Sequence, residues 1–179
     1  MRETYDILKN IVSEQDILTK EYMKNHTSFK IGGSADFLVT PRTVDQIKNL
    51  IITLKKENIP VFIMGNGSNL LVSDKGIRGV VIKLSKNFSS FSISGDEVTA
   101  QSGILLSTLS KSIVNESLSG FEFASGIPGT IGGAVTMNAG AYDSEMKNIV
   151  EEVVAIDMDG NIKTFTNQEM NFRYRKSRV

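Results

Sequence analysis

Two glycine-rich segments and a basic tail carry the residues whose types and spacing suggest chemistry. In the first segment, Gly126, Gly129, Gly132, Gly133 and Gly140 account for five of the chain's 15 glycines. Around them stand small or apolar residues and four polar ones, Ser125, Thr130, Thr136 and Asn138. A flexible linker would be polar and rich in serine, so this nearly uncharged stretch is expected to be buried. Buried backbone must pair its N–H and C=O groups, and glycine lets another surface approach that backbone closely. A flat ligand with many acceptors suits such a wall. Tight helix–sheet packing suits it as well.

In the second segment an apolar strand, Val61–Met64, runs into Gly65-Asn66-Gly67-Ser68-Asn69, and a second apolar strand is expected to leave at once. Glycine permits positive φ and asparagine tolerates it. Successive N–H groups can then converge into an anion-binding nest, and Ser68 and Asn69 add side-chain donors. Phosphate or pyrophosphate is the natural guest, and a plain hairpin loop is the alternative. A Rossmann fingerprint does not fit, because its third glycine would fall at Leu70 and no helix follows. A Walker loop does not fit either, because Gly-Lys-Ser/Thr is absent.

The tail holds Arg173, Arg175, Lys176 and Arg178 interleaved with Phe172 and Tyr174. The aromatics suggest partial burial, with the basic heads directed at something, and arginine's rigid fork matches a carboxylate. A solvated basic end is the plain alternative. A nucleic-acid patch is disfavoured by 20 basic against 20 acidic residues. The single histidine, His26, lies in a polar turn with no evident carboxylate to orient it, and reads as structural or surface. Without cysteine, disulfides and thiolate metal sites are excluded, and one histidine makes a His-cluster metal site improbable. No apolar run approaches the roughly 18 residues of a membrane span. The acidic N-terminus is no signal peptide, so a cytoplasmic protein is expected.

The elements that must position these groups follow from periodicity. Ile7, Leu8, Ile11 and Val12 predict an amphipathic helix over 3–13. Ala35–Thr40 reads as a strand, and Thr43-Val44-Asp45-Gln46 as a capping box before a helix carrying Ile47, Leu50, Ile51 and Leu54. With Val61–Met64 as a buried strand, residues 35–64 make a β–α–β unit. Strands are predicted at Gly79–Leu84 and Glu97–Gln101. A helix carries Leu106, Leu109 and Ile113, with Gly120 near its C-cap. Pro128 suits the first turn of a short helix over Thr130–Val135. Ile149–Asp157 and Asn161–Thr166 flank a hairpin turn. Asp74 and Asp96 sit beside glycines and take turn roles. Serine and asparagine accumulate after residue 84, which places a seam between 1–84 and 85–179.

Four blocks in order resemble the N-terminal, flavin-binding part of the UDP-N-acetylenolpyruvoylglucosamine reductase family. They are Asn25–Gly33, Gly65–Leu71, Ser125–Tyr142 and Phe172–Ser177. The resemblance implies an α+β, two-subdomain FAD-binding fold of the vanillyl-alcohol-oxidase type. FAD would be bound non-covalently by Gly65, Asn66, Gly67, Ser68 and Asn69, and by Ser125, Gly126, Ile127, Pro128, Gly129, Thr130, Gly132, Gly133 and Asn138. It places Tyr174 and Arg175 at the UDP-sugar substrate, with Arg175 catalytic, and implies NADPH as electron donor. The pathway implied is peptidoglycan synthesis, which serves cell shape and division. In the family a serine proton donor and an assisting glutamate lie beyond the Tyr-Arg-x-Ser motif. Because the chain stops two residues after Ser177, it is expected to be inactive alone and to expose a sheet edge. A flavin-dependent oxidase on the same fold and a non-catalytic FAD- or nucleotide-binding module stay open. The lack of a tethering cysteine speaks against the oxidase.

Overall fold

The computed structural model describes residues 1–179. The amphipathic N-terminus forms α1 (Arg2–Lys9), shorter than its periodicity predicts, with Leu8 and Val12 both buried. β1 (Ile17–Tyr22) follows, a strand with no periodic signal in the sequence. Of its six residues only Ile17 is buried, so it carries no alternating signal. β2 (Ser34–Val39) falls where expected. α2 (Val44–Lys56) starts at Thr43, whose Oγ1 accepts from the Gln46 N–H at 3.1 Å. The Gln46 side chain reaches past the cap and accepts from the Arg42 N–H at 2.7 Å. Ile47, Leu50, Ile51 and Leu54 are all buried.

β3 (Val61–Met64) and β4 (Ile77–Lys83) complete a sheet of order β1-β2-β4-β3. β1 is antiparallel to β2, while β2 and β3 both run parallel to β4. The β–α–β unit over 35–64 is present, with β4 inserted between its two strands. Two expectations fail here. β3 is an edge strand rather than a buried one, and Phe62 and Ile63 stand exposed on it. No strand leaves after Asn69. Residues 65–76 are irregular, and Leu71 points into solvent. Because β3 and β4 are parallel, this connection must cross the sheet end, which removes the hairpin alternative for Gly65–Asn69.

A polar network fixes the entry to β1. Asp16, only 4% exposed, accepts from Arg42 Nε at 2.8 Å and Arg42 Nη2 at 2.9 Å. Asn87 Nδ2 donates to the same carboxylate at 3.1 Å and also reaches the Thr40 carbonyl. A buried carboxylate needs such partners. Here they join β1, the end of β2 and the segment after β4.

Past residue 84, β5 (Phe91–Ser94) and β6 (Glu97–Ala100) form an antiparallel hairpin turning at Gly95 and Asp96. β5 occupies part of the region read as a seam. Its alternate residues are serines, which mask the strand signal. α3 (Leu106–Asn115) buries Leu106, Leu109 and Ile113. It is closed by Glu116, and Ser117 takes the left-handed position at φ +61 in place of Gly120. α4 (Ile131–Thr136) is capped by Thr130, so Pro128 lies outside its first turn. β7 (Gly140–Ala141) and β8 (Ser144–Glu145) form a minimal hairpin. β9 (Glu152–Ile156) and β10 (Ile162–Thr166) form the expected longer one.

The core consists of three apolar clusters. One packs α3 and α4 against Phe121, Phe123, Met146, Met170 and Phe172. Two line opposite faces of the β1-β2-β4-β3 sheet. The β9–β10 turn crosses between these regions. Ile156 packs against the α2 side, Gly160 abuts Ile52, and Lys55 Nζ bonds Asp159 at 2.5 Å.

Asp157 holds that turn together. It accepts from Lys163 Nζ and from the N–H groups of Asp159 and Asn161, each at 2.9 Å. The Lys163 hydrogen bond, followed by the Asn161 amide, holds its pKa well below the ordinary carboxylate range. A depressed folded pKa stabilises above the unfolded pKa and ceases to do so as pH falls through the folded value. Acid should therefore lower the melting temperature of the wild type more steeply than that of Asp157→Asn. Parallel acid slopes in a thermal-melt series from neutral pH to the acid limit of folding would show that Asp157 contributes nothing.

Candidate cofactor site

The two glycine segments singled out by the sequence meet. A Cβ built on Gly65 would lie 2.2 Å from Thr130 Oγ1, and one on Gly129 would lie 3.5 Å from Ser68 Oγ. Together they floor one end of a cleft of about 2270 Å³. The exposed Phe62 and Ile63 of β3, the β9–β10 hairpin and Arg175 supply other parts of its wall. More than half of the residues lining it are hydrophobic.

Gly65–Asn69 has the properties of an anion nest. None of its five backbone N–H groups donates to a backbone carbonyl. Gly67 has φ +70, and a Cβ there would lie 2.1 Å from the His26 carbonyl oxygen. Ser28 N–H donates to the Gly67 carbonyl at 3.2 Å. The close approach is thus made from Asn25–Ser28 on one side of the loop, and the loop also lines the cleft. Thr130 Oγ1 is fully buried and has no hydrogen-bond partner, the one such side-chain atom in the chain. A buried hydroxyl without a partner is costly, and this one stands where the two segments meet.

The Ser125–Gly133 stretch departs from the expectation of burial. Ser125, Gly126, Pro128 and Gly133 are exposed, and Thr130 is buried. Anchorage on one side explains this. Leu106 N–H donates to the Gly129 carbonyl, Ile131 N–H to Ile104, and Gly132 N–H to Ser102, at 2.9–3.0 Å. The opposite side is left to the cleft. The glycines differ in what surrounds them. Gly132 is a packing glycine, since its Cβ would meet Ser102 Cβ at 2.7 Å, whereas at Gly133 a Cβ would meet only Thr130 Oγ1, at 3.6 Å.

Of the other residues expected at the cofactor, Ile127, Pro128, Asn66 and Asn69 line the cleft, while Ser125, Gly126 and Asn138 do not. Ser125 Oγ donates to the Glu122 carbonyl at 2.8 Å. Asn138 is buried, with Nδ2 donating to the Arg173 carbonyl at 3.2 Å and Oδ1 accepting from Lys147 N–H at 2.9 Å. Its amide is spent on pinning the tail. Ser177 Oγ adds a second pin, donating to the Thr136 carbonyl at 3.1 Å. The Asn138–Arg173 and Ser177–Thr136 bonds join residues 35 and 41 positions apart, which no local sequence signal reveals.

These pins present Arg175 at the cleft wall, with φ +52 and its guanidinium 5.7 Å from the Tyr174 ring centroid. Tyr174 is 89% exposed and Phe172 is buried, so the interleaved aromatics do not share a role. Arg178 lies over Phe165 at 4.7 Å.

His26 also differs from its sequence reading. Its Nε2 lies 3.0 Å from Glu21 Oε1 and its Nδ1 lies 3.1 Å from Lys83 Nζ. A carboxylate therefore does orient the ring. Burial lowers the pKa of Lys83. No cluster of three His, Cys, Asp or Glu side chains is placed to hold a metal ion, and no helix is long and apolar enough to cross a membrane.

A diphosphate-bearing ligand fits these residues, with the nest for its anion, the orphan Thr130 hydroxyl beside it and the apolar cleft beyond. Residues 35–166 match the model of the FAD binding domain family, and the chain belongs to that family. The UDP-N-acetylenolpyruvoylglucosamine reductase of Clostridioides difficile (strain 630) is 56% identical over 176 residues, which is 98% of this chain and 58% of that protein. The reductase of the same name from Alkaliphilus oremlandii (strain OhILAs) is 53% identical over 175 residues, again 98% of this chain and 58% of the relative. This chain thus spans less than two thirds of the length of these curated relatives. The crystal structure of UDP-N-acetylenolpyruvylglucosamine reductase from Thermus caldophilus superposes with TM-score 0.76 at 34% identity, over 91% of this chain and 56% of that one. p-Cresol methylhydroxylase shares the fold alone, with TM-score 0.69 at 14% identity over 97% of this chain and 38% of that one. The fold is the α+β, vanillyl-alcohol-oxidase type expected from the sequence.

Proposed function

We propose that this chain is the FAD-holding part of an NADPH-dependent reductase that converts UDP-N-acetylglucosamine enolpyruvate to UDP-N-acetylmuramate. The observation that carries the reading is the set of five unbonded N–H groups at Gly65–Asn69, set against Gly129–Gly133 on one cleft. In this reading those N–H groups hold the FAD pyrophosphate, and binding is non-covalent. Residues Ile127–Gly133 form the wall beside the flavin. Bound FAD supplies hydride transfer, from NADPH to the enolpyruvyl double bond. Arg175 holds the substrate carboxylate and offsets charge that develops on it, and Tyr174 contacts the same substrate. The setting is the cytoplasm and peptidoglycan synthesis, on which cell shape and division depend. We also place the two subdomains at 1–84 and 85–179, with Phe88 and the β9–β10 turn of the second reaching across to the α2-side cluster of the first.

Titration of the purified chain with FAD, followed by quenching of flavin fluorescence, tests the reading. Saturable quenching is expected, together with yellow absorbance that acid releases into the supernatant. Fluorescence identical to that of free FAD at every protein concentration would remove the proposal.

A further inference from the structure

The loop over Gly65–Asn69 is supported at two points that are distant in sequence. At its start, Lys83 pairs with Met64 and Leu84 N–H donates to the Met64 carbonyl at 2.8 Å. At its middle, the His26 carbonyl presses on Gly67 and Ser28 N–H holds the Gly67 carbonyl. The His26 ring ties the two supports together through its 3.1 Å contact with Lys83 Nζ. Its other nitrogen is fixed by Glu21 at 3.0 Å, and Glu21 Oε1 also accepts from Asn25 Nδ2 at 3.1 Å. The ring is only 16% exposed.

The partners decide the protonation state. An ammonium only donates and a carboxylate only accepts. Nδ1 is therefore the acceptor toward Lys83, and Nε2 carries the hydrogen toward Glu21, an assignment made from partners. The imidazole in this arrangement is neutral. The ionisable groups facing it are Glu21 from β1 and Lys83 from β4, while Gly65–Asn69 contributes neither acid nor base. A proton added at Nδ1 would set an imidazolium N–H against the Lys83 ammonium. Two donors would then face each other across a 3.1 Å contact, which cannot remain a hydrogen bond.

We propose that His26 is a positioning residue for the Gly65–Asn69 loop, a neutral clamp between β1 and β4 whose protonation loosens the anion nest. The functional consequence rests on the reading of that loop as the FAD pyrophosphate site.

Two measurements on the 179-residue chain test it. In the cofactor-free protein, the NMR amide signals of Gly65 and Gly67 should move with pH in step with the His26 ring signals. In FAD quenching titrations, affinity should fall about tenfold across the same interval, the scale of one lost charged hydrogen bond. His26→Gln offers Lys83 an acceptor and Glu21 a donor, and should keep high affinity while making both profiles flat. His26→Ala should bind FAD about tenfold more weakly at every pH. The proposal is overturned if the Gly65 and Gly67 signals ignore the ring's titration, or if His26→Gln keeps the wild-type pH profile. Should the wild type fail to quench FAD while the amide signals still track the ring, the clamp stands and the cofactor reading falls.

Discussion

Gly67→Val is expected to weaken FAD binding about 10²-fold or more, the largest effect we anticipate from a single substitution at the nest. The residue has φ +70, which costs an L-residue roughly 1–2 kcal/mol, and more for a β-branched one. A Cβ would also stand 2.1 Å from the His26 carbonyl oxygen and 2.9 Å from Met64 Cε. Met64 Cε is the tip of a flexible side chain and can move, but the carbonyl is backbone. The loop must therefore shift, and the N–H groups that converge on an anion shift with it. Gly133→Ala is the informative partner. Gly133 lies in α4 with helical geometry, and an added methyl meets only Thr130 Oγ1, at 3.6 Å. Alanine there should leave the melting temperature unchanged or slightly raised, yet lower FAD affinity by intruding on the cleft wall. Fluorescence titration and thermal melts of both variants separate the two causes. Wild-type FAD affinity in Gly67→Val would mean that the loop does not hold the ligand.

Under the proposed reductase reading, and in protein that completes the reaction, Arg175→Ala should slow reoxidation of the reduced flavin by UDP-N-acetylglucosamine enolpyruvate about 10²–10³-fold, the usual loss when one charge-stabilising donor is removed. FAD content and reduction by NADPH should be nearly unchanged. The guanidinium stands at the cleft wall, held by a tail that Asn138 and Ser177 pin from behind. Arg175→Lys should recover only part of the rate, since an ammonium lacks the planar fork. Stopped-flow measurement on catalytically active protein separates the two half-reactions. Arg178, stacked on Phe165, is the control. If Arg178→Ala abolishes reoxidation and Arg175→Ala leaves it intact, the assignment has the wrong arginine.

Legibility followed the range of the physical signal. α2 was readable because its cap and its four buried positions all lie within fifteen residues. The β9–β10 hairpin was readable for the same reason. β1 and β5 were not, because one has a single buried residue and the other alternates serine with its apolar residues. Leu70-Leu71-Val72 is an apolar run in sequence, yet no strand follows Asn69 directly. Val72 is buried, but Leu71 is 67% exposed, and the chain is crossing to β4. At the site, the glycine segments were evident, yet which glycine packs and which faces the cleft depends on Ser102, twenty-four or more residues away from the Gly126–Gly133 run. Of the two partners of His26, Glu21 is local, five positions away, and only the Lys83 contact was hidden for the same reason. Lys83 lies 57 positions away and meets the ring only once β4 is in place.

The strand order β1-β2-β4-β3 bears on how the chain can be made. As it is synthesised from the N-terminus, β1, β2, α2 and β3 all exist before any of β4 does. In the finished sheet β2 and β3 never touch, because each pairs with β4 on opposite sides. The first sixty-four residues therefore contain an edge strand with no neighbour, carrying the apolar pair Phe62 and Ile63. Insertion of Ile77–Lys83 between the waiting strands is a non-local step that must bear its loop-closure entropy before its contacts form. That step also draws Gly65–Asn69 into shape, since Lys83 and Leu84 fix its first residue's neighbour, Met64. Closing the nascent sheet and shaping the Gly65–Asn69 loop thus depend on the same strand, the last of the four to be made and one that takes a central place.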